Sequence, residues 1–317
     1  MSSVKSTERL SGSLALVFPG QGSQYVGMGR DLYDRYPIAR RIFEEADAIL
    51  GFALSKLCFE GPEADLTDTI NAQPAILTMS AACLAVLKET VGDMLNPVFV
   101  AGHSMGEYTA LLAARAFDFS TALRLVRERG RVMKEAGEKQ PGAMAAVLGL
   151  ETGPLRAICK ELGEVWVAND NSPGQIVLAG KKAALEQALL LARQRGAKRA
   201  IPLAVSIASH SPLMAPAADS MAAVLEKMPL TKAMIPVISN VSASPMMEPA
   251  DVRTELVQQL TSPVRWVESV QYMISQGVQL FIELGPKNVL SRLINQIDPH
   301  VQTRNIEHVT DIVALEV

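Results

Sequence analysis

The chain has 317 residues, enough for one large domain or for one domain carrying a second. It is 49% apolar and 20% charged, with a net charge of −3. That balance fits a folded globular protein and argues against broad electrostatic binding to nucleic acid. Three cysteines (Cys58, Cys83, Cys159) and four histidines, with no CxxC pair, argue against a disulfide framework and a zinc site. Residues 1–12 are polar and lack the apolar stretch of a signal peptide. No apolar run approaches the roughly 20 residues of a membrane helix. The expectation is a cytoplasmic protein with no metal, no cofactor, no nucleic acid and no membrane.

In chain order, residues 13–18 (SLALVF) are an apolar run stopped by Pro19-Gly20, a buried strand by pattern. A glycine-rich loop, GQGSQYVGMG, follows. Helices are expected around 31–50 and 74–90, with Pro74 at a first helical position, where its missing N–H costs nothing. Asn96-Pro97 breaks the chain before VFVA (98–101). That run leads straight into Gly102-His103-Ser104-Met105-Gly106 and then the helix-prone EYTALLAARA. A further helix is expected over 120–136.

Beyond Gln140-Pro141-Gly142 the pattern changes. MAAVLGL reads as a strand and GPLRAICKEL as a helix. VWVAN and QIVLAG read as strands joined across Asn171-Ser172-Pro173-Gly174. KAALEQALLLARQRG reads as a helix and AKRAIPLAV as a strand. This β-α-β-β-α-β order is the split βαβ pattern of a ferredoxin-like unit. It predicts a small subdomain at 138–205, inserted in a large α/β domain of 13–137 and 206–317 with a mostly parallel sheet. The large domain resumes with a helix at 212–228, a strand at 234–239, a helix at 251–260 and a final apolar run, LFIELG (280–285).

Gly102-His103-Ser104-Met105-Gly106 is G-x-S-x-G, with the strand before and helix after that a nucleophile elbow needs. A sharp turn there strains the central serine and crowds its neighbours. The flanking glycines relieve the crowding, and the helix N-terminus offers N–H donors to an oxyanion. The alternative is a plain glycine-rich turn. The serine needs a base. His103 sits beside it and should point away. His210 lies in SIASHSPLM. A hydrolase order of serine, acid, histidine would instead draw on Asp298 with His300, or His308 with Asp311, in polar sequence after the last apparent strand.

Arg129 stands out by spacing. Ala122, Val126, Arg129, Met133 and Ala136 share one helical face, while Arg124, Arg127, Arg131 and Lys134 share another. An inward guanidinium needs an anion. An internal salt bridge would supply one, and so would a substrate carboxylate. The N-terminal loop fails the dinucleotide pattern, because Tyr25 stands where G-x-G-x-x-G from Gly20 needs glycine.

The set of ordered motifs resembles the malonyl-CoA:acyl-carrier-protein transacylases and is similar to the acyltransferase domains of polyketide synthases. The motifs are FPGQGSQYVGMG (18–29), NAQPAIL (71–77), GHSMGEYTAL (102–111), RLVRERG (124–130), NDNSPGQIVLAG (169–180), SIASHSPLM (206–214), LVQQLTSPVRW (256–266) and ELGP (283–286). The resemblance implies a hydrolase-like α/β core with a ferredoxin-like subdomain. It implies Ser104 as nucleophile, His210 as base and Arg129 as the seat of the malonyl carboxylate. Gln21 and Met105 would form the oxyanion hole with their backbone N–H groups, and the Gln259 carbonyl would orient His210, so no acidic triad member is needed. Malonyl-CoA and acyl carrier protein are the implied partners, and Arg193-Arg195-Lys198-Arg199 is a docking patch or a solvated helix end. Two positions depart from the family pattern. The tetrapeptide Ile207-Ala208-Ser209-His210 is neither His-Ala-Phe-His nor Tyr-Ala-Ser-His, which leaves the acyl α-substituent open. Lys287-Asn288 follows ELGP where Gly-Lys is common.

Overall fold

Ten strands form two sheets among the residues described by the computed structural model, 13–205 and 207–316. The N-terminal stretch 1–12, read above as lacking a signal peptide, lies outside the described residues. In chain order the strands are β1 (Leu14–Phe18), β2 (Phe99–Gly102), β3 (Ala143–Leu148), β4 (Val165–Ser172), β5 (Gln175–Gly180), β6 (Arg199–Pro202), β7 (Val237–Ile238), β8 (Pro245–Met246), β9 (Leu280–Leu284) and β10 (Gln302–Ile306).

The larger sheet has the order β10-β9-β1-β2-β7-β8, parallel except for the β7–β8 pair. Helices cover its central strands, so β1 and β9 are buried along their whole length; β1 reads as a continuous apolar run and β9 as one interrupted by Glu283. The smaller sheet is antiparallel, in the order β4-β5-β3-β6, with the helices Thr152–Leu162 and Lys182–Gln194 packed through their own apolar cluster. Its strand order is that of a ferredoxin-like unit, and the fold is the mixed α/β one expected.

Register places the functional loops. Phe18 pairs with Gly102 and Ala101 pairs with Ile238. The loops after β1, β2 and β7 therefore leave the same edge of the sheet, the C-terminal edge, where open α/β sheets bind ligands. Glu283 on β9 lies under this edge. It accepts from the N–H groups of Leu290 and Ser291 at 2.9 and 2.8 Å, capping the helix Val289–Ile297. The glutamate of ELGP is thus bound to a helix end, and burial pushes its carboxyl up to about 6.

Several expectations need correction. The helix expected from Pro74 begins at Thr69 and runs to Val91, capped by the Asp68 side chain on Ile70 N–H at 3.1 Å. Pro74 is therefore interior. The carbonyl it leaves unpaired, that of Ile70, accepts from Arg127 Nη1 at 2.8 Å, so the proline is tolerated. Extended in this way, the segment Thr69–Met94 is long and apolar enough by composition to cross a membrane, contrary to the reading of the sequence, and 83% of its apolar window is buried inside the protein. LFIELG is not the last strand. β10 follows it, pairing with β9 alone, and its edge position lets it carry the polar sequence QTRNI. The strand expected at 234–239 shrinks to Val237–Ile238, and the helix Trp266–Ser275 was not anticipated.

Candidate active site

The G-x-S-x-G segment folds as a strand–turn–helix. β2 ends at Gly102, the helix Gly106–Ala113 starts two residues after Ser104, and Ser104 takes a positive φ of 53°. Such a conformation costs a non-glycine residue about 1–3 kcal/mol and persists only where the surroundings impose it. The flanking glycines are sterically required. A Cβ on Gly102 would lie 2.0 Å from the Gly106 carbonyl carbon, and one on Gly106 would lie 2.1 Å from the Phe18 carbonyl oxygen.

Ser104 Oγ lies 2.8 Å from His210 Nε2. His210 Nδ1 lies 2.8 Å from the Gln259 carbonyl oxygen. A carbonyl only accepts, so Nδ1 carries the proton, and Nε2 is left to accept from the serine hydroxyl. His210 also has a positive φ, 59°, and is 4% exposed. Burial, reinforced by the charge of Arg129, holds its imidazole down at about 3, so the ring is neutral and Nε2 keeps its lone pair for the serine proton. His103 points away from the serine. Its Nε2 donates to Asn171 Oδ1 at 2.7 Å, and its ring meets Trp266 edge-on.

Arg129 lies in the helix Phe119–Lys139, on the buried stripe with Ala122, Val126, Met133 and Ala136, while Arg124 and Arg131 are exposed. It is 1% exposed, and among the described residues no carboxylate is one of its hydrogen-bond partners. Its Nη1 donates to Gln73 Oε1 at 2.9 Å. Its Nη2 donates to Gln259 Oε1 at 3.0 Å and to Ser104 Oγ at 3.1 Å. The internal salt bridge considered as an alternative is therefore not made by these contacts. The guanidinium also lies 5.7 Å over the Tyr108 ring. A buried cation hydrogen-bonded to neutral amides and a hydroxyl is set to receive an anion. The helix crossing that brings Gln73 to Arg129 depends on Gly130, where a Cβ would sit 2.7 Å from the Thr69 carbonyl oxygen.

Gln21 lines the same cleft as Ser104, and Met105 follows the serine in the chain. Gln21 Oε1 accepts from Thr69 Oγ1 at 2.9 Å, which fixes the loop 20–24 against the Arg129 network through Gln73. Lys287, the divergent position after ELGP, straps the same loop by donating to the Gly22 and Gln24 carbonyls, both at 3.3 Å. Among the described residues, neither the N–H of Gln21 nor that of Met105 is engaged by a protein acceptor, which leaves both for an oxyanion. Gln259 does more than orient His210. Its side-chain Nε2 donates to the Ser104 carbonyl at 3.0 Å and to Glu107 Oε2.

These groups open into a cleft of about 450 Å³ that runs between the two sheets. Gln21, Ser104, Arg129 and His210 line it on one side, and Met144 and Val177 of the smaller sheet on the other. A depression of about 580 Å³ elsewhere is lined by residues that include Leu84, Lys88, Arg115 and Phe117, with no serine, cysteine or histidine among them. His300 and His308 are exposed. His308 pairs with Asp31, and His300 N–H is held by Asp298, so neither contacts Ser104. In the basic segment, Arg195 is paired with Glu161 and Arg193 is bound to the Ala200 carbonyl.

Gln73, Glu107, Asn171 and Asn240 were not singled out from the sequence. Gln73 lay hidden because Pro74 read as a helix start. Glu107 sits in the quoted GHSMGE segment and would have signalled itself as a charge on an otherwise apolar helix. Asn240 lies in none of the motifs and follows a two-residue strand, so no local pattern marks it.

The chain matches the family model for the acyl transferase domain over residues 15–311. It is 48% identical over 294 residues to a malonyl CoA-acyl carrier protein transacylase of Bacillus subtilis, covering 92% of each chain. Among solved structures it is similar to an acyl carrier protein S-malonyltransferase from Vibrio cholerae, with a TM-score of 0.92, 42% identity and coverage of 96% and 99%. It is similar also to a malonyl-transacylase in complex with its holo type II polyketide acyl-carrier protein, with a TM-score of 0.93, 42% identity and coverage of 96% and 99%.

Proposed function

The chain belongs to the acyl transferase domain family, and from that premise we propose how its residues divide the work of a malonyl-CoA:acyl carrier protein transacylase. The enzyme moves a malonyl group from coenzyme A to the phosphopantetheine thiol of an acyl carrier protein, supplying extender units for fatty acid or polyketide synthesis. The observation that carries the residue assignment is the sharing of Ser104 Oγ between His210 Nε2 at 2.8 Å and Arg129 Nη2 at 3.1 Å. One oxygen thus meets both a base and a carboxylate receptor.

In the first half-reaction His210 Nε2 takes the Ser104 proton as Oγ attacks the malonyl thioester carbonyl. The N–H groups of Gln21 and Met105 receive the oxyanion, a contribution of about 3–4 kcal/mol per donor in comparable sites. The tetrahedral adduct collapses with loss of the coenzyme A thiolate, which takes the proton back from His210. The product is a malonyl ester of Ser104. The carrier's thiol then gives its proton to His210 and attacks that ester, and Ser104 leaves reprotonated. The malonyl carboxylate sits two carbons from the ester carbonyl, within reach of the Arg129 guanidinium. That contact selects carboxylated acyl groups and fixes their orientation.

We divide the chain into a large catalytic domain, 13–137 and 206–317, and an inserted ferredoxin-like subdomain, 138–205, with the cleft between them. We place the enzyme in the cytoplasm, a setting that suits its three buried, unpaired cysteines. The test is intact-protein mass after mixing with malonyl-CoA. A malonyl adduct should form on the parent chain and vanish in Ser104→Ala. An adduct that persists in Ser104→Ala removes Ser104 as nucleophile.

A further inference from the structure

The elbow's strain has to be held by something outside the elbow. Two peptide groups flank His103, and each needs a partner: the Gly102 carbonyl at the end of β2 and the N–H of Ser104. One side chain takes both. Asn240 Nδ2 donates to the Gly102 carbonyl at 2.7 Å, and Asn240 Oδ1 accepts from Ser104 N–H at 2.7 Å. Asn240 is 1% exposed and sits just beyond β7, the neighbour of β2 in the sheet.

The direction of this amide is itself fixed. Glu107 Oε1 accepts from Asn240 backbone N–H at 2.8 Å and from Nδ2 at 3.2 Å. The amide nitrogen is thereby turned toward Gly102 and Glu107, and the oxygen toward Ser104. Glu107 is itself fully buried and takes a further bond from Gln259 Nε2. Glu255 lies next in this network. It accepts from Ser239 Oγ at 2.6 Å and Val241 N–H at 3.0 Å. Burial and the neighbouring Glu255 push the Glu107 carboxyl well above the usual carboxylate range.

We infer that Asn240, oriented by Glu107, is a positioning residue for the nucleophile. Its amide staples the two ends of the turn, holds Ser104 in its left-handed conformation, and occupies the Ser104 N–H so that the oxyanion donor from this turn is Met105. Asn240 is not among the residues lining the cleft, so it acts through the serine backbone. The inference rests on Ser104 being the acylated residue. If the parent chain forms no malonyl-serine, that assignment fails on its own, before any Asn240 variant is measured.

The experiment measures the rate of malonyl-serine formation under single-turnover conditions. It also measures malonyl-CoA dissociation constants in a Ser104→Ala background, with and without Asn240→Ala. We expect Asn240→Ala to slow acylation by 30-fold or more while shifting the dissociation constant by less than threefold. Ile312→Ala, a cavity in a fully buried position of the C-terminal helix, serves as a control destabilised at a distance and should leave acylation within threefold of the parent. Acylation of Asn240→Ala within threefold of the parent overturns the inference. A loss that appears wholly in the dissociation constant also overturns it.

Asn240→Asp supplies a second readout and keeps the test open if Asn240→Ala fails to fold. A protonated aspartic acid keeps one acceptor for Ser104 N–H and one donor for the Gly102 carbonyl. Ionised, it loses the donor. The charged groups around position 240 are Glu107, Glu255 and Arg265, and the two carboxyls disfavour ionisation there. Acylation by Asn240→Asp should approach the parent rate at pH 6 and fall away from it by pH 8.5. A constant ratio to the parent across that range overturns the staple.

Discussion

Arg129→Ala removes the buried guanidinium that reaches Ser104 Oγ at 3.1 Å, and it should act in opposite directions on two substrates. For malonyl-CoA it deletes the proposed partner of the carboxylate in a site where Arg129 is 1% exposed. Truncating one member of a buried, hydrogen-bonded charge pair costs about 2–5 kcal/mol, so malonyl kcat/KM should fall about 30- to 4,000-fold. Acetyl-CoA has no carboxylate to lose. For that substrate the substitution frees the serine oxygen from an N–H donor and removes the positive charge that is the second cause, after burial, of the low His210 value of about 3. Acetyl transfer should hold or rise. Its rising limb with pH, which marks loss of the His210 proton, should move to higher pH because His210 becomes easier to protonate. The substitution leaves Gln73 Oε1 and Gln259 Oε1 without their donor, at about 1–3 kcal/mol each. Removal of an uncompensated buried charge offsets that cost, so the variant should stay folded. The assay is acyl transfer to carrier protein with malonyl-CoA and acetyl-CoA in competition across pH. Equal losses on the two substrates would refute the carboxylate role, and an unmoved limb would refute the electrostatic coupling to His210.

Two further predictions concern the scaffold. Gly106→Ala and Gly102→Ala should each abolish acylation and lower the unfolding midpoint, since the added Cβ meets fixed backbone at 2.1 and 2.0 Å. Gly153→Ala, with nothing within 4 Å, should be silent in both readouts, and parent-like acylation by Gly106→Ala would contradict the packing of the elbow. The low His210 value also predicts acid sensitivity. The unfolded chain binds a proton at about 6.5 and the folded one only near 3, so stability present above pH 6.5 is lost as pH falls, by about 1.4 kcal/mol per pH unit. His103, also lowered by burial, works in the same direction. Urea denaturation should show that His210→Gln loses about 2–3 kcal/mol less than the parent between pH 6.5 and 4.5, and identical slopes would count against a neutral buried His210.

The chain's periodicities carried a large part of the architecture. β1, β2, β5 and, apart from Glu283, β9 are short apolar runs closed by glycine or proline, because strands buried on both faces are mostly apolar. The helical spacing around Arg129 revealed which face it would occupy before any partner was known, since 3.6 residues per turn is a local property of the backbone. Ser104 announced itself through the glycines on either side. The failures share a cause. Pro74 looked like a helix start because the arginine that satisfies Ile70's carbonyl lies 57 residues further on. β10 looked like loop because an edge strand keeps one side in water and needs no apolar run.

From the sequence alone, the elbow, the inward arginine and the order of motifs around His210 were determined, because each depends on neighbours along the chain or on a whole pattern of residues. Only the tertiary structure decided that Gln73 and Gln259 would hold Arg129, that the Gln259 side chain would add Arg129 and the Ser104 carbonyl to the His210 contact the resemblance implied, and that Asn240 would close the turn beneath Ser104. Those contacts join residues 49 to 155 positions apart, across parallel strands and crossing helices. Hydrogen bonds between such distant residues leave no periodic trace in sequence, because their geometry is set by how whole elements pack.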